Sequence, residues 1–394
     1  MREKTDSHGG GSKVNLSMRD WFLLPIVSVT TICLIYGCAE WKCRKEVTQS
    51  YSCVLKDDGA FGTRNPPNST CIDKVFEAPA PAQYEFNSCG DRALAQCGQK
   101  PEGVYRIVVT GSSVAFGARV AREETFAAIL PKDLSRRTAR DVQVYNKGIF
   151  AWGTPRVVAS RMNEVLAEQP DLILLIVTPW DVEHASVLVS EMPKSKPNQS
   201  ESTRSKSDFL SQSQQGVSEF LRNHSLLASW LQHLMLESNS QLVSATLIEG
   251  ESADFLRASY GPAWRDHLEE FETQFAAIAT RAAAAKVPLA AVLIPDRAEA
   301  TMVWMGASPK GYDPYKLDRE LRSVVASHGG IYLDILPGFQ SIPDPGSNYY
   351  PIDGHPDGNG QKVISDLLSE ALIAGQIRAL KISPSTPTGM GNQR

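Results

Sequence analysis

The sequence predicts an α/β protein built on a five-stranded parallel sheet, with one membrane-spanning helix ahead of it. Three observations carry this expectation. Five short apolar runs after residue 104 ("YRIVVT", "VQVYN", "LILLIVT", "PLAAVLI" and "IYLDI") alternate with amphipathic stretches of helical spacing. Residues 21–39 carry no charge, and all seven cysteines fall before residue 98. Strands covered on both faces read as continuous apolar runs rather than as alternation, and helices between them supply the parallel crossovers.

Taken in order, residues 1–20 form a polar lead and residues 21–39 the candidate span. At about 1.5 Å per residue this span just crosses a hydrocarbon core. Trp21 and Trp41 stand where an aromatic belt would be. The long polar lead favours an uncleaved anchor over a cleaved signal peptide. Basic residues flank both ends (Arg2, Lys4, Lys13 and Arg19 against Lys42, Arg44 and Lys45), so charge alone leaves the orientation open.

Residues 40–104 are rich in Pro, Asn, Ser and Gly and read as an extended, cysteine-bearing linker and lead-in. Cys43, Cys53, Cys71, Cys89 and Cys97 follow the anchor, whereas the large body beyond has none. That distribution points to disulfides in an oxidising compartment and places the body outside the cytoplasm. Cys89–Cys97 and Cys53–Cys71 are the candidate pairs, leaving Cys43 odd. The globular domain is expected over 105–380, with amphipathic helices at 155–168, 263–286 and 314–328. Residues 192–216 read as a polar, flexible insertion and 381–394 as a disordered tail.

Several function classes drop out early. A net charge of −4 without a basic stripe argues against nucleic acid as a partner. Seven histidines without HxH or HxxxH spacing, and cysteines without CxxC pairs, argue against a structural metal. No cofactor is expected. The sequons at Asn68, Asn198 and Asn223 matter only in a eukaryotic secretory setting.

In a parallel sheet the chemistry gathers at the carboxyl ends of the strands. The first strand ends in Gly111-Ser112-Ser113, with Gly117 behind; the second runs into "NKGIFAWGT", the third into "TPWD", the fourth into "IPDR". Beyond the fifth, "YYPIDGHPDGNGQ" sets Asp353 two residues before His355. A serine opening a helix faces backbone N–H groups able to meet an anion. Ser112 reads as a cap or turn residue, Asp181 as a local helix cap, and His184 as a surface or satisfied core group. Asp296 and Arg297 are candidates for substrate contact or for ordinary turn chemistry.

Gly111-Ser-Ser-Val-Ala-Phe-Gly117 resembles the first block of the SGNH (GDSL) hydrolase superfamily, and Asp353-Gly-His355-Pro356 resembles its last. "EFNSCGDR" is similar to the NSxGxR lead-in of many bacterial members. The resemblance implies a flavodoxin-like, three-layer α/β/α fold and a serine esterase. It makes Ser113 the nucleophile, His355 the general base and Asp353 the group that orients it. The oxyanion donors it implies are the Ser113 N–H, a glycine N–H of the second block and an asparagine of the third. At those two positions this chain has Ala151 and Trp180, and Ser112 replaces the usual aspartate of the first block.

The resulting expectation is a single-pass membrane protein with a periplasmic or otherwise extracytoplasmic domain. It would hydrolyse small acyl esters, acetyl among them, on cell-envelope carbohydrate through an acyl-serine intermediate. Two alternatives share the fold. One is a polysaccharide O-acetyltransferase with the same triad. The other is a catalytically impaired envelope protein that binds glycan, suggested by Ala151 and Trp180.

Overall fold

The structure, a computed structural model, describes residues 18–46, 56–57, 63–73, 77–78, 80–150, 154–187, 225, 227, 238–248, 250–351 and 353–381. The expectations for 192–216, for 382–394, for Cys53 and for Ala151 lie outside them. Contacts divide the chain into two units, 1–46 with 208–231, and 47–207 with 232–394.

The first unit holds α1 (Met18–Glu46), a single helix of 29 residues. Its stretch Trp21–Lys42 has a mean hydropathy of 2.1, and none of it is buried within the protein. Trp21, Phe22, Ile26, Ile32 and Ile35 are all exposed. By length and composition the helix is able to cross a membrane.

The second unit opens with two small antiparallel ladders, β1 (Lys56–Asp57) with β2 (Thr63–Arg64), and β3 (Thr70–Asp73) with β4 (Ala82–Glu85). The expected parallel strands then appear in order. They are β5 (Tyr105–Thr110), β6 (Val142–Asn146), β7 (Leu172–Val177), β8 (Leu289–Leu293) and β9 (Ile331–Tyr332). They hydrogen-bond in the order β6-β5-β7-β8-β9, all parallel. In chain order this is 2-1-3-4-5, the flavodoxin-like arrangement, and it creates a crevice where the order reverses beside β5.

Between the strands run α2 (Ser113–Phe116), α3 (Phe126–Thr138), α4 (Pro155–Ser160), α5 (Met162–Ala167), α6 (Pro179–Glu183) and α7 (Asn239–Ile248). Then follow α8 (Pro262–Ala284), α9 (Arg297–Met305), α10 (Lys316–Ser327) and α11 (Gly358–Ile373). Helix α3 packs on α11, whereas α8 packs on α4, α5 and α6. Right-handed crossovers put these two groups on opposite faces of the sheet, which gives the three layers. Every residue of β5, β7 and β8 is buried, as a doubly covered sheet requires.

Three local expectations need correction. The helix expected over 155–168 breaks at Arg161, whose φ of −98° and ψ of 11° serve as the end of α4 and the start of α5. The fifth strand pairs over two residues only, Ile331 and Tyr332. The third concerns the linker. Described residues of the stretch read as extended linker are packed structure: Cys71, Ala82, Tyr84 and Phe86 form a cluster with Phe116, Ala118 and Phe150. The period-2 alternation of β3 and β4 spans four residues each and carries Asp73 on its inward side, which hides it from a search for apolar periodicity.

Candidate active site

The first strand delivers its serines to the crevice through two backbone constraints. Gly111 has φ +142°, and a Cβ there would stand 2.6 Å from the Ile176 carbonyl oxygen of the neighbouring strand. Gly148, in the loop after β6, approaches α2 so closely that a Cβ would meet the Phe116 nitrogen at 2.4 Å. Asn146 locks that approach: its amide donates to the Ala115 carbonyl at 2.8 Å and its oxygen accepts the Gly148 N–H at 2.9 Å. Arg92, fully buried, donates to the carbonyls of Phe116 (2.8 Å), Gly117 and Val120, capping the short helix from below.

Ser113 opens α2, and its Oγ lies 2.7 Å from His355 Nε2. The other ring nitrogen, Nδ1, lies 2.5 Å from Asp353 Oδ1. The three residues come from 242 positions apart in the chain, yet form one hydrogen-bonded line. His355 keeps 21% of its side chain exposed, so the line opens to solvent at the serine end. Its imidazole stacks on Phe150, centroids 6.3 Å apart and planes 21° from parallel. Asp353 is more enclosed. Burial opposes its ionisation, but the His355 ring and the Arg119 guanidinium outweigh that and hold the carboxyl down at about 2.

Loop 344–357 is fastened at several points. Arg297 donates to the carbonyls of Gly346 (3.0 Å) and Pro351 (3.2 Å). Tyr350 N–H donates to the His355 carbonyl at 2.9 Å, and Asp353 N–H donates to Glu77 Oε2 at 2.8 Å. Asp296 caps α9 by accepting the Glu299 N–H at 2.7 Å. Asp296 and Arg297 of "IPDR" thus hold local structure, the turn chemistry that was one of the two readings of them.

The other sequence candidates resolve individually. Ser112 is buried and makes no side-chain cap of α2; it sits beside Asp181. Asp181 forms a capping box with Thr178, accepting from the Thr178 N–H at 2.8 Å and hydroxyl at 2.6 Å. Burial raises its carboxyl to about 6, with these donors and Ser112 pulling the other way. Trp180 lies half-buried in α6 with its indole stacked on His184, centroids 4.4 Å apart. Cys89 and Cys97 are joined by a disulfide, with Cα atoms 5.7 Å apart. Among the described residues one group of possible metal ligands exists, Cys89, Cys97 and Glu168, and the disulfide already occupies both sulfurs.

The sequence reading missed Arg119. Its side chain, 5% exposed, donates from Nε to Asp353 Oδ2 at 3.0 Å and from Nη1 to Asp73 Oδ2 at 2.7 Å. The only trace in the sequence is a lone charge in "FGARV", between Ala118 and Val120, both buried.

No family model matches this chain, and no curated protein matches it. Comparison with solved structures returns the lipase/acylhydrolase from Enterococcus faecalis, 13% identical, with a TM-score of 0.36, covering 68% of this chain and 95% of that one. The psychrotrophic esterase EstA from Pseudoalteromonas sp., solved inhibited by monoethylphosphonate, is 12% identical, with a TM-score of 0.33 and coverages of 68% and 96%. TesA is 14% identical, with a TM-score of 0.35 and coverages of 68% and 97%. Structures described as a GDSL-like lipase and an SGNH hydrolase are also among the matches. What this chain is similar to, among solved structures, are proteins described as esterases, lipases and hydrolases, at identities that speak to the fold alone.

Proposed function

We propose that this chain is a membrane-anchored serine esterase whose domain lies outside the cytoplasm. The observation that carries the reading is the line from Ser113 Oγ through His355 to Asp353, with distances of 2.7 and 2.5 Å. A serine hydroxyl is a weak nucleophile until a base takes its proton, and a carboxylate on the far ring nitrogen fixes the tautomer that can do so. Ser113 Oγ attacks the ester carbonyl while His355 Nε2 accepts the hydroxyl proton. The imidazolium then returns that proton to the departing alcohol, leaving an acyl-serine. Water, deprotonated by the same nitrogen, attacks the acyl carbon and releases the carboxylic acid and the free serine.

The tetrahedral oxyanion needs donors. The Ser113 N–H, first in its helix, has no intrahelical acceptor by position. The Ala151 N–H and the Trp180 indole N–H are the proposed partners, in the places where the resembled family has glycine and asparagine.

The anchor reading rests on the length and hydropathy of Trp21–Lys42. The compartment rests on the Cys89–Cys97 disulfide, which an oxidising environment preserves. Small acyl esters on cell-envelope carbohydrate are the proposed substrates, by family analogy.

Labelling with a fluorophosphonate probe followed by peptide mass spectrometry tests the reading. Modification at Ser113, absent in Ser113→Ala, supports it. An unlabelled Ser113 in protein that binds polysaccharide selects the glycan-binding alternative. Faster acetyl transfer to added polysaccharide than to water selects the transferase.

A further inference from the structure

We propose that Arg119 and Asp73 act as a positioning pair for the triad: Arg119 holds Asp353 in place, and Asp73 returns the negative charge that Arg119 would otherwise cancel. The inference rests on the esterase reading above and concerns groups outside every motif the sequence offered.

The guanidinium is fixed on all sides. Two of its nitrogens hold the two carboxylates, and its plane lies over Phe150, 5.0 Å from the ring centroid. The same Phe150 stacks on His355, so one aromatic ring sets the height of both the imidazole and the guanidinium. The backbone is pinned as well. Arg119 N–H donates to the Tyr84 hydroxyl at 2.9 Å, and its carbonyl accepts from the Tyr350 hydroxyl at 3.1 Å. Its φ of +69° is left-handed, a conformation that a non-glycine residue keeps only when its surroundings impose it.

The charges explain why two carboxylates meet one cation. When His355 takes the serine proton it becomes an imidazolium, and a net negative charge beyond it stabilises that state. Arg119 with Asp353 alone would sum to zero and withdraw that support. Asp73, 4% exposed and 2.7 Å from Nη1, restores a net charge of about −1 behind the ring. The other charged or titratable groups that face this array are Tyr84, which donates to Asp73 at 2.6 Å, Tyr350, and Glu77, with Arg297 beyond it. Glu77 is a further carboxylate beside Asp353, with Arg297 facing it, and both stay unchanged in the variants below, so differences among those variants report Arg119 and Asp73.

The test is the pH dependence of kcat/KM for an aryl acetate, measured on the full chain in detergent over roughly pH 5 to 9, where a histidine base shows its acid limb. Removing the cation in Arg119→Gln leaves two carboxylates behind the ring and moves the acid limb up by about half to one pH unit. Removing a carboxylate in Asp73→Asn moves it down by a similar amount. Arg119→Lys keeps the charge and loses the fork, so the limb stays while kcat falls by about tenfold or more. A merely structural pair would lower stability in all three and shift no limb.

Opposite shifts in the first two variants support the inference. Limbs that coincide with wild type overturn it, and fluorophosphonate labelling of Ser113 in the same samples shows that the esterase reading survives. If Arg119→Gln does not fold, Asp73→Asn decides alone, and an unmoved limb overturns the inference. An unlabelled wild-type Ser113 removes both the reading and the inference.

Discussion

The parallel sheet and the segment that precedes it are held together by different physics. Strands β5, β7 and β8 are continuous apolar runs with every side chain buried, and their cohesion is transfer of hydrocarbon out of water. The packed part of the lead-in adds to its small apolar cluster a set of buried polar ties. Its anchors are Arg92 on three carbonyls, Asp73 on Arg119, Lys147 between Asp91 (2.7 Å) and Glu168 (3.1 Å), and Asn87 closing its own turn onto the Cys89 and Asp91 N–H groups, both at 2.9 Å. Hydrocarbon cohesion tolerates small changes, because close packing degrades gradually. A buried polar lattice does not, since deleting one partner strands the other in low dielectric. The site stands where the two regimes meet: Ser113 opens the helix that follows β5, and Asp353 is tied through Arg119 to Asp73 of the β3–β4 hairpin.

Experiments can break or sharpen this contrast. The largest effect is expected at the junction itself. Ser113→Ala and His355→Ala should each lower aryl acetate turnover by about 10⁴-fold or more, with the double variant little worse and thermal unfolding unchanged. Next comes the polar lattice. Arg92→Met leaves three carbonyls without their donor and should cost about 3–5 kcal/mol in a denaturant titration, together with loss of activity. The matched change in the sheet, Ile107→Val at a fully buried position, should cost only about 1 kcal/mol and leave activity alone. Equal losses from Arg92→Met and Ile107→Val would erase the distinction.

Reduction of Cys89–Cys97, which closes a loop of eight-residue separation, should cost about 2–3 kcal/mol by chain entropy. Of similar size is a pH signature of opposite sign in the two regimes. Asp353 sits below its ordinary 3.8, at about 2, so its contribution of roughly 2 kcal/mol is present above pH about 4 and lost as pH falls toward 2. Asp181 and Asp296, raised by burial to about 6 at the strand ends, favour the neutral form. Their contribution is present below pH about 4 and lost as pH rises through 6. Unfolding curves across this range should therefore show stability rising from pH 7 toward 4 and falling beyond it, with the fall reduced in Arg119→Gln.

The same contrast explains what could be read from the sequence. All five sheet strands were visible because a doubly covered strand advertises itself as an apolar run. Ser113, Asp353 and His355 stood out through the resemblance of their blocks to SGNH motifs, and the structure brings the three side chains into one hydrogen-bonded line. Asp73, Tyr84 and Arg119 did not stand out, since an inward-facing carboxylate on a four-residue strand looks like any surface acid. Of the two pairs expected from the distribution and spacing of the cysteines, Cys89–Cys97 is present and the other involves Cys53, outside the described residues. Ser112 was read as a cap or turn residue, whereas its side chain is committed to Asp181 rather than to α2, and Arg297, read as a substrate or turn residue, donates to the carbonyls of Gly346 and Pro351.

The reach of the site along the chain has a consequence for biogenesis. Asp73 leaves the ribosome before Arg119, 46 residues later, and Asp353 follows a further 234 residues on. The hairpin and the nucleophile helix can thus meet early, but their shared cation waits for nearly the whole domain to be made before its second carboxylate arrives. Contacts of such long range form late in folding. The hydrogen-bonded line from Ser113 through His355 to Asp353 accordingly closes only when synthesis of the domain is almost complete, and a nascent or truncated chain carries Ser113 without it.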